Sequence, residues 1–329
     1  MNREQQKDAG RVIVHVEHLK KYYPVGSAGF RKEPKQLKAV DDVSLDIHEG
    51  EIIGIVGESG CGKSTLGRAI LRLFPVTDGK IVFKGTDITR MDRKELKEYR
   101  RDMQMIFQNP FSSFNPKQRI GNALAEVGKV YGMTESETNE RIAELMEHIN
   151  LPMDFLHRMP SELSGGQLQR LAIARALILN PGFIVADEPV SALDVSVQAQ
   201  ILNLITDLRK KMNMTMMFIS HEMTVVEHTC DYICVMYLGR IIEMAPVKEL
   251  FAHISHPYTR ALMSAIPKAD PDEEKERIVL EGDIPSAIDL PEGCSFASRC
   301  FACTQECRER RPELKDLGNG HFAACHHTG

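Results

Sequence analysis

Basic charge is scarce in this chain: 41 lysines and arginines stand against 46 aspartates and glutamates, a formal net charge of -5. Neutralising a run of phosphates needs a basic face, so this balance excludes a general nucleic-acid binder and leaves room only for a local basic patch. Long apolar runs are missing as well. The longest, such as 52–56 and 232–238, are of strand length, far short of the ~20 residues that span a bilayer. The opening residues, Met1 to Asp8, contain no apolar stretch of the kind found in a secretory leader, which predicts a chain kept out of oxidising compartments. Glycine and proline, 23 and 16 of 329 residues, are too ordinary for collagen-like or low-complexity classes, and no internal repeat is present.

With 43% hydrophobic and 26% charged residues, the chain reads as globular and long enough for roughly two domains. Its cysteines are unevenly spread. Of eight, Cys294, Cys300, Cys303, Cys307 and Cys325 fall in the last 36 residues, a density typical of a disulfide scaffold or a metal site. The expected reducing compartment favours metal.

Short apolar runs at 51–56, 183–187, 214–220 and 232–236 alternate with helical spacing at 63–74 and at Val195, Ala199, Leu202, Ile205 and Leu208. Strands are also expected at 12–16, 43–47, 81–83 and 103–107, with a turn at 77–80. Such alternation predicts an α/β fold with a largely parallel sheet and helices on both sides. From 109 to 164 the pattern turns helical and polar and is punctuated by Pro110, Pro116, Pro152 and Pro160, as expected of an inserted helical subdomain. The acidic, proline-flanked stretch 270–276 reads as a linker into the cysteine-rich tail.

Gly57, Ser59, Gly60, Cys61, Gly62, Lys63, Ser64 and Thr65 fit G-x-x-x-x-G-K-[ST] between a strand and a helix. The glycines let backbone N–H groups curl around nucleotide phosphates, and the helix N-terminus adds a favourable dipole. Lys63 would reach the terminal phosphates, Ser64 would supply a hydroxyl to Mg2+, and Thr65 would steady the inner phosphate. A second apolar strand, 183–187, delivers Asp187 and then Glu188 to its carboxyl end, where open parallel sheets bind ligands. Asp187 suits the Mg2+ shell, and Glu188 can polarise an attacking water as general base. Between these motifs Leu163 is followed by Ser164, Gly165, Gly166 and Gln167, a further anion cradle at a helix start.

In this order and context, that pentapeptide resembles the signature of the ATP-binding cassette (ABC) ATPases. Further matches fall in family order: Gln108 is similar to the Q-loop glutamine, Ser191 to Asp194 to the D-loop, His221 to the switch histidine, and Tyr23, with Tyr22 beside it, to the aromatic that stacks on adenine. The resemblance implies a P-loop NTPase with a mostly parallel core sheet, an N-terminal antiparallel β subdomain and an inserted helical subdomain. It also implies a head-to-tail dimer in which each signature completes the ATP site of the opposite chain. Leu168 departs from the polar or basic residue that commonly follows the signature.

The segment from His256 to Pro267 and the tail from Pro291 to His326 resemble the extension on the ATPases of oligopeptide, dipeptide and nickel importers, most closely the second ATPase subunit of peptide importers. This places the cassette at 1–255 and the extension at 256–329. It implies a second ATPase subunit, two membrane permeases, an extracytoplasmic solute-binding protein and a location on the cytoplasmic face of the membrane. A soluble ABC ATPase of DNA repair or translation would usually carry two cassettes, and this chain has one. Four thiols at Cys294, Cys300, Cys307 and Cys325 suit either tetrahedral Zn2+ or a four-iron cluster. The subgroup resemblance favours a [4Fe-4S] cluster, with Zn2+ bound through Cys303 or His326 as the rival and unliganded thiols as the third reading.

Overall fold

The computed structural model describes residues 10–26, 35–266 and 277–328. The linker expected at 270–276 lies outside them. In chain order the strands and helices begin with β1 (Val12–Val25), β2 (Lys35–His48), β3 (Ile52–Val56), α1 (Lys63–Ile70), β4 (Asp78–Phe83) and β5 (Thr86–Asp87). Next come α2 (Leu96–Asp102), β6 (Met103–Ile106), α3 (Ile120–Val130), α4 (Glu135–His148), α5 (Gly165–Leu177), β7 (Phe183–Asp187), α6 (Val195–Met212) and β8 (Thr215–Ser220). The last are α7 (Met223–Thr229), β9 (Tyr232–Tyr237), β10 (Arg240–Pro246), α8 (Val247–Ala252), α9 (Pro257–Ser264), α10 (Gln305–Glu309), β11 (Lys315–Gly318) and β12 (His321–Ala323).

These elements form two compact units. The first is built from Ile47–Ile52 and Arg90–Ile219 with residues 10–13. Here β7 pairs in parallel with both β6 and β8, and every residue of β7 and β8 is buried. Burial on both faces explains why these strands read as unbroken apolar runs. The stretch 109–164 contains α3, α4 and three short 3-10 turns, at Pro110–Ser113, Met153–His157 and Pro160–Glu162. Thr134 starts α4 with a capping box closed by Glu137. The buried face of α6 is Ile201, Leu204, Ile205 and Leu208, whereas Val195 is 82% exposed and Ala199 is exposed. The expected face is therefore corrected in its first two turns.

The second unit takes in Val14–Asp46, Ile53–Thr89 and residues 220–328. One of its sheets is antiparallel, in the order β2-β1-β4-β5. In β2, Val43, Leu45 and Ile47 point inward and alternate with exposed Asp42, Ser44 and Asp46, the period of a half-buried strand. Its other sheet is mixed: β3 and β9 run parallel, while β9, β10, β12 and β11 follow one another antiparallel. A two-residue turn, Leu238 and Gly239 with positive φ at both, joins β9 to β10. The tail thus contributes β11 and β12 to the sheet that contains β3, which the sequence pattern did not predict.

Candidate functional site

The loop after β3 is shaped by glycine. Gly62 has φ 108°, and a Cβ there would sit 2.0 Å from the carbonyl oxygen of Ala39, so neither the backbone conformation nor the space admits a side chain. Gly62 is the N-cap of α1 and offers no side-chain cap, which leaves the first N–H groups of the helix to an incoming acceptor. Lys63 is 4% exposed, and its ammonium donates to the carbonyls of Gly57 (2.7 Å) and Glu58 (3.0 Å). A buried cation held by neutral carbonyls beside uncapped N–H groups is matched to a polyanion. Ser64 and Thr65 follow on the first turn, Ser59 and Gly60 are exposed at the tip, and burial pushes the Cys61 thiol up.

Tyr23 and His221 belong to the same unit. Tyr23 packs edge-on against Phe74 at 6.2 Å, with the Lys21 ammonium 4.8 Å from its ring centre. The neighbouring Tyr22 is committed elsewhere, since its hydroxyl bonds the Asp41 carboxylate. Burial pushes that carboxyl up, but the bonds from Tyr22 and Arg240 outweigh it and hold Asp41 low. Of the two tyrosines, Tyr22 is the one bonded to Asp41, and Tyr23 packs on Phe74. His221 follows β8 with its side chain about half exposed, Nε2 lying 3.7 Å from Glu222.

The first unit holds Gln108, the signature, Asp187 and Glu188. Asp187 ends β7 and is 1% exposed. Glu188 leaves the extended conformation at φ 47°, and its N–H donates to Ile219 O at 3.0 Å. A non-glycine residue in left-handed backbone is uncommon and recurs at functional sites. The Gln108 side-chain amide donates to the Glu188 carboxylate at 2.8 Å and to Ser191 Oγ at 3.4 Å, and Ser191 Oγ donates to Glu188 O at 3.1 Å. The base candidate is thereby joined to the Q-loop and D-loop residues.

Ser164 caps α5 in a reciprocal box: its Oγ accepts from Gln167 N–H at 3.3 Å, and Gln167 Oε1 accepts from Ser164 N–H at 3.0 Å. The serine hydroxyl's own proton takes no part in this box. Gly165 and Gly166 also admit close neighbours. A Cβ on Gly166 would stand 2.4 Å from Val197 Cγ1, and one on Gly165 would stand 3.3 Å from Leu193. The glycine pair therefore serves packing against Leu193 and the start of α6. Leu168, the departure from the family pattern, is fully buried.

In the tail, Cys294, Cys300 and Cys325 each lie near enough to neighbouring thiols to feel them. Burial first, then the neighbouring thiols, pushes Cys294 up to about 11; Cys300 and Cys325 rise chiefly by burial. Cys307 Sγ is 3.4 Å from both His327 Nε2 and Thr304 Oγ1. The histidine beside the thiols is thus His327, whereas His326 accepts no such role and bonds Arg310 O at 2.8 Å. Four thiols suit a thiolate-bound metal in chemistry, yet among the described residues no three His, Cys, Asp or Glu side chains form a metal-holding group. The sulfurs share a neighbourhood without a ligand shell.

Sequence reasoning missed how the tail is anchored. Glu243, fully buried in β10, accepts from the N–H groups of Ser255 (2.7 Å) and His256 (3.1 Å) and bonds His321 Nε2 (2.9 Å). His256 Nδ1 accepts from Tyr258 N–H at 3.0 Å, and burial pushes this imidazole down to about 3. Tyr258, Tyr237 and Phe296 pack ring to ring at 4.8–5.3 Å. Arg299 grips the Glu58 carboxylate with two bonds, at 2.7 and 3.1 Å, and this bond, despite desolvation, pushes the guanidinium pKa up. These partners lie up to 241 residues apart in sequence, with no local signal to join them.

Residues 40–191 match the ABC transporter family model, and residues 242–307 match the oligopeptide/dipeptide transporter C-terminal region. A putative peptide import ATP-binding protein of Brucella ovis is 49% identical over 95% of this chain and 97% of its own length. The oligopeptide transport ATP-binding protein AppF of Bacillus subtilis is 46% identical over 95% and 97%, and the dipeptide transport ATP-binding protein DppF of Haemophilus influenzae 46% over 94% of each. Among solved structures, a dimeric post-hydrolysis cassette, MJ0796 bound to ADP and Pi, is similar with TM-score 0.63 and 29% identity over 71% of this chain and 99% of its own. CbiO1 from Clostridium perfringens, part of the ABC transporter complex cbiONQ, is similar with TM-score 0.64 and 26% identity over 74% and 91%. No helix among the described residues is long and apolar enough to cross a membrane. With this breadth of matching length, and with both family regions in their expected order, the chain belongs to the ATP-binding proteins of the ABC transporter family that carry the oligopeptide/dipeptide transporter C-terminal region.

Proposed function

We propose that this chain hydrolyses ATP to power import of di- or oligopeptides through membrane permeases, with the cassette at 1–255 and the extension at 256–329. The observation that carries the reading is the 2.8 Å bond from Gln108 to Glu188, which aims a carboxylate at the end of a buried strand in a chain that also has a complete phosphate loop. Lys63 would move from its carbonyls to the terminal phosphates of ATP, Ser64, Gln108 and Asp187 would hold Mg2+, and Thr65 would steady the inner phosphate. Glu188 takes the proton of the attacking water, Gln108 orients both, and His221 contacts the terminal phosphate. Tyr23 stacks on adenine. Ser164, Gly165, Gly166 and Gln167 act on the nucleotide of a second ATPase subunit in a head-to-tail pair, which an extracytoplasmic binding protein and two permeases complete on the cytoplasmic face of the membrane.

Replacing Glu188 by Gln preserves the shape of the group and removes its basicity. ATP binding should persist while turnover of the reconstituted complex falls at least about 100-fold. Normal hydrolysis by that variant would refute the role given to Glu188. A [4Fe-4S] cluster on Cys294, Cys300, Cys307 and Cys325 is part of the same proposal; the cysteine chemistry and the subgroup resemblance support it, and it would staple the tail. Iron analysis and visible absorption of anaerobically purified protein test it, and colourless zinc-loaded protein would overturn it.

A further inference from the structure

Two groups of the C-terminal extension reach the phosphate loop at a single residue. Tyr258 Oη accepts the N–H of Glu58 at 2.9 Å, and Arg299 binds the Glu58 carboxylate through both terminal nitrogens. The remaining polar atom of that residue, its carbonyl oxygen, accepts from the Lys63 ammonium at 3.0 Å and from Cys61 N–H at 3.3 Å. Every hydrogen-bonding group of Glu58 is therefore engaged, two of them by the extension and the third by the loop's own lysine. Arg299 is only 7% exposed at its side chain and Tyr258 is fully buried in the aromatic cluster, so neither contact is a loose surface pairing. A two-point guanidinium–carboxylate bond fixes orientation as well as distance.

We propose that the extension is a positioning element for the ATP phosphates: Arg299 and Tyr258 fix Glu58, and Glu58 fixes the carbonyl that parks Lys63. This rests on the reading of Gly57 to Thr65 as the phosphate loop. Neither residue touches nucleotide; both set the loop's shape before ATP arrives, so their loss weakens ATP binding equally in ground and transition states. That predicts a rise in KM with little change in kcat.

The test uses the full chain reconstituted with its permeases, with ATP as the titrated substrate and a fluorescent ATP analogue for direct binding. Arg299→Met should raise KM for ATP about 5- to 10-fold with kcat held within about twofold, and Arg299→Lys should fall between, because an ammonium cannot make the two-point bond. Tyr258→Phe should raise KM about two- to threefold. The exchanged pair Glu58→Arg with Arg299→Glu should recover most of the lost affinity, and Glu58→Gln covers the case in which Arg299→Met does not fold. An unchanged KM in folded Arg299→Met and Glu58→Gln, with only melting temperature lowered, would reduce the contact to a staple and overturn the proposal. Lys63→Ala is the separate control: if it binds the analogue normally, the phosphate-loop reading itself fails, whatever Arg299 does.

Discussion

After β3, a lysine ammonium rests on the carbonyls of its own loop, and a Cβ at Gly62 would strike backbone 2.0 Å away. At the start of α5, the residues from Ser164 to Gln167 carry no charge, and the space at Gly166 is bounded by the side chain of Val197 instead. Both turns end in N–H groups at a helix start, yet only the first contains its own cation and rigid walls. The first thus joins a cation, uncapped amides and backbone walls in one loop, and at Gly62 it tolerates no change of shape. The second is an uncharged rim whose form depends on the loop packed beneath it, which supports its assignment as the half-site offered to another subunit's nucleotide.

Three of the following outcomes could break this contrast. The largest effect is expected for Gly62→Ala: with φ at 108° and backbone in the way, analogue binding should weaken more than about 100-fold, and near-normal binding would show the loop to be pliant. Gly166→Ala should leave the chain's own nucleotide affinity unchanged and lower turnover about tenfold, since a side chain can move where backbone cannot. Adding Val197→Ala should restore the rate; failure to do so would mean that the glycine matters for anion approach rather than for packing.

Acid separates the two turns further. His256 supports the segment carrying Tyr258 and stays neutral down to about pH 3 because it is buried, while an unfolded histidine takes a proton near pH 6.5. Between those values the unfolded state binds more protons, so stability present above pH 6.5 is lost as pH falls, about 2 kcal/mol by pH 5. Hydrogen exchange at residues 57–59 should therefore speed up between pH 7 and pH 5, after correction for intrinsic rates, while residues 165–168, capped by Ser164 and Gln167, should not follow. Equal responses would remove the distinction. The smallest effect is Ser164→Ala, which should cost about 1 kcal/mol of stability through the lost cap.

Much of this was legible from residues alone. Strands that are buried on both faces announce themselves, as β3, β7 and β8 do, and a motif such as Gly57 to Thr65 encodes a loop whose shape is local. Helix α1 stops at Ile70, short of the expected 74, because Arg72 turns into left-handed backbone at φ 52°. The strands β1 and β2 outrun their apolar cores, since Lys20, Lys21 and Lys35 join the ladder without burying anything the pattern could register. Arg299 and Tyr258 were illegible for a different reason. An arginine beside a cysteine and a tyrosine beside a proline signal nothing until the fold delivers them to Glu58.

Glu243 has an implication for how such chains can change over generations. One carboxylate receives the amides of Ser255 and His256, where the extension starts, and the ring of His321, near its end. A premature stop anywhere before codon 321 would remove both His321 and the strand that covers Glu243, so the injury would reach β10, the strand beside β9, as well as the missing piece. Shedding the tail therefore changes the surroundings of position 243 from dry to wet, so a loss at one end of the chain alters which residue suits a strand far from it.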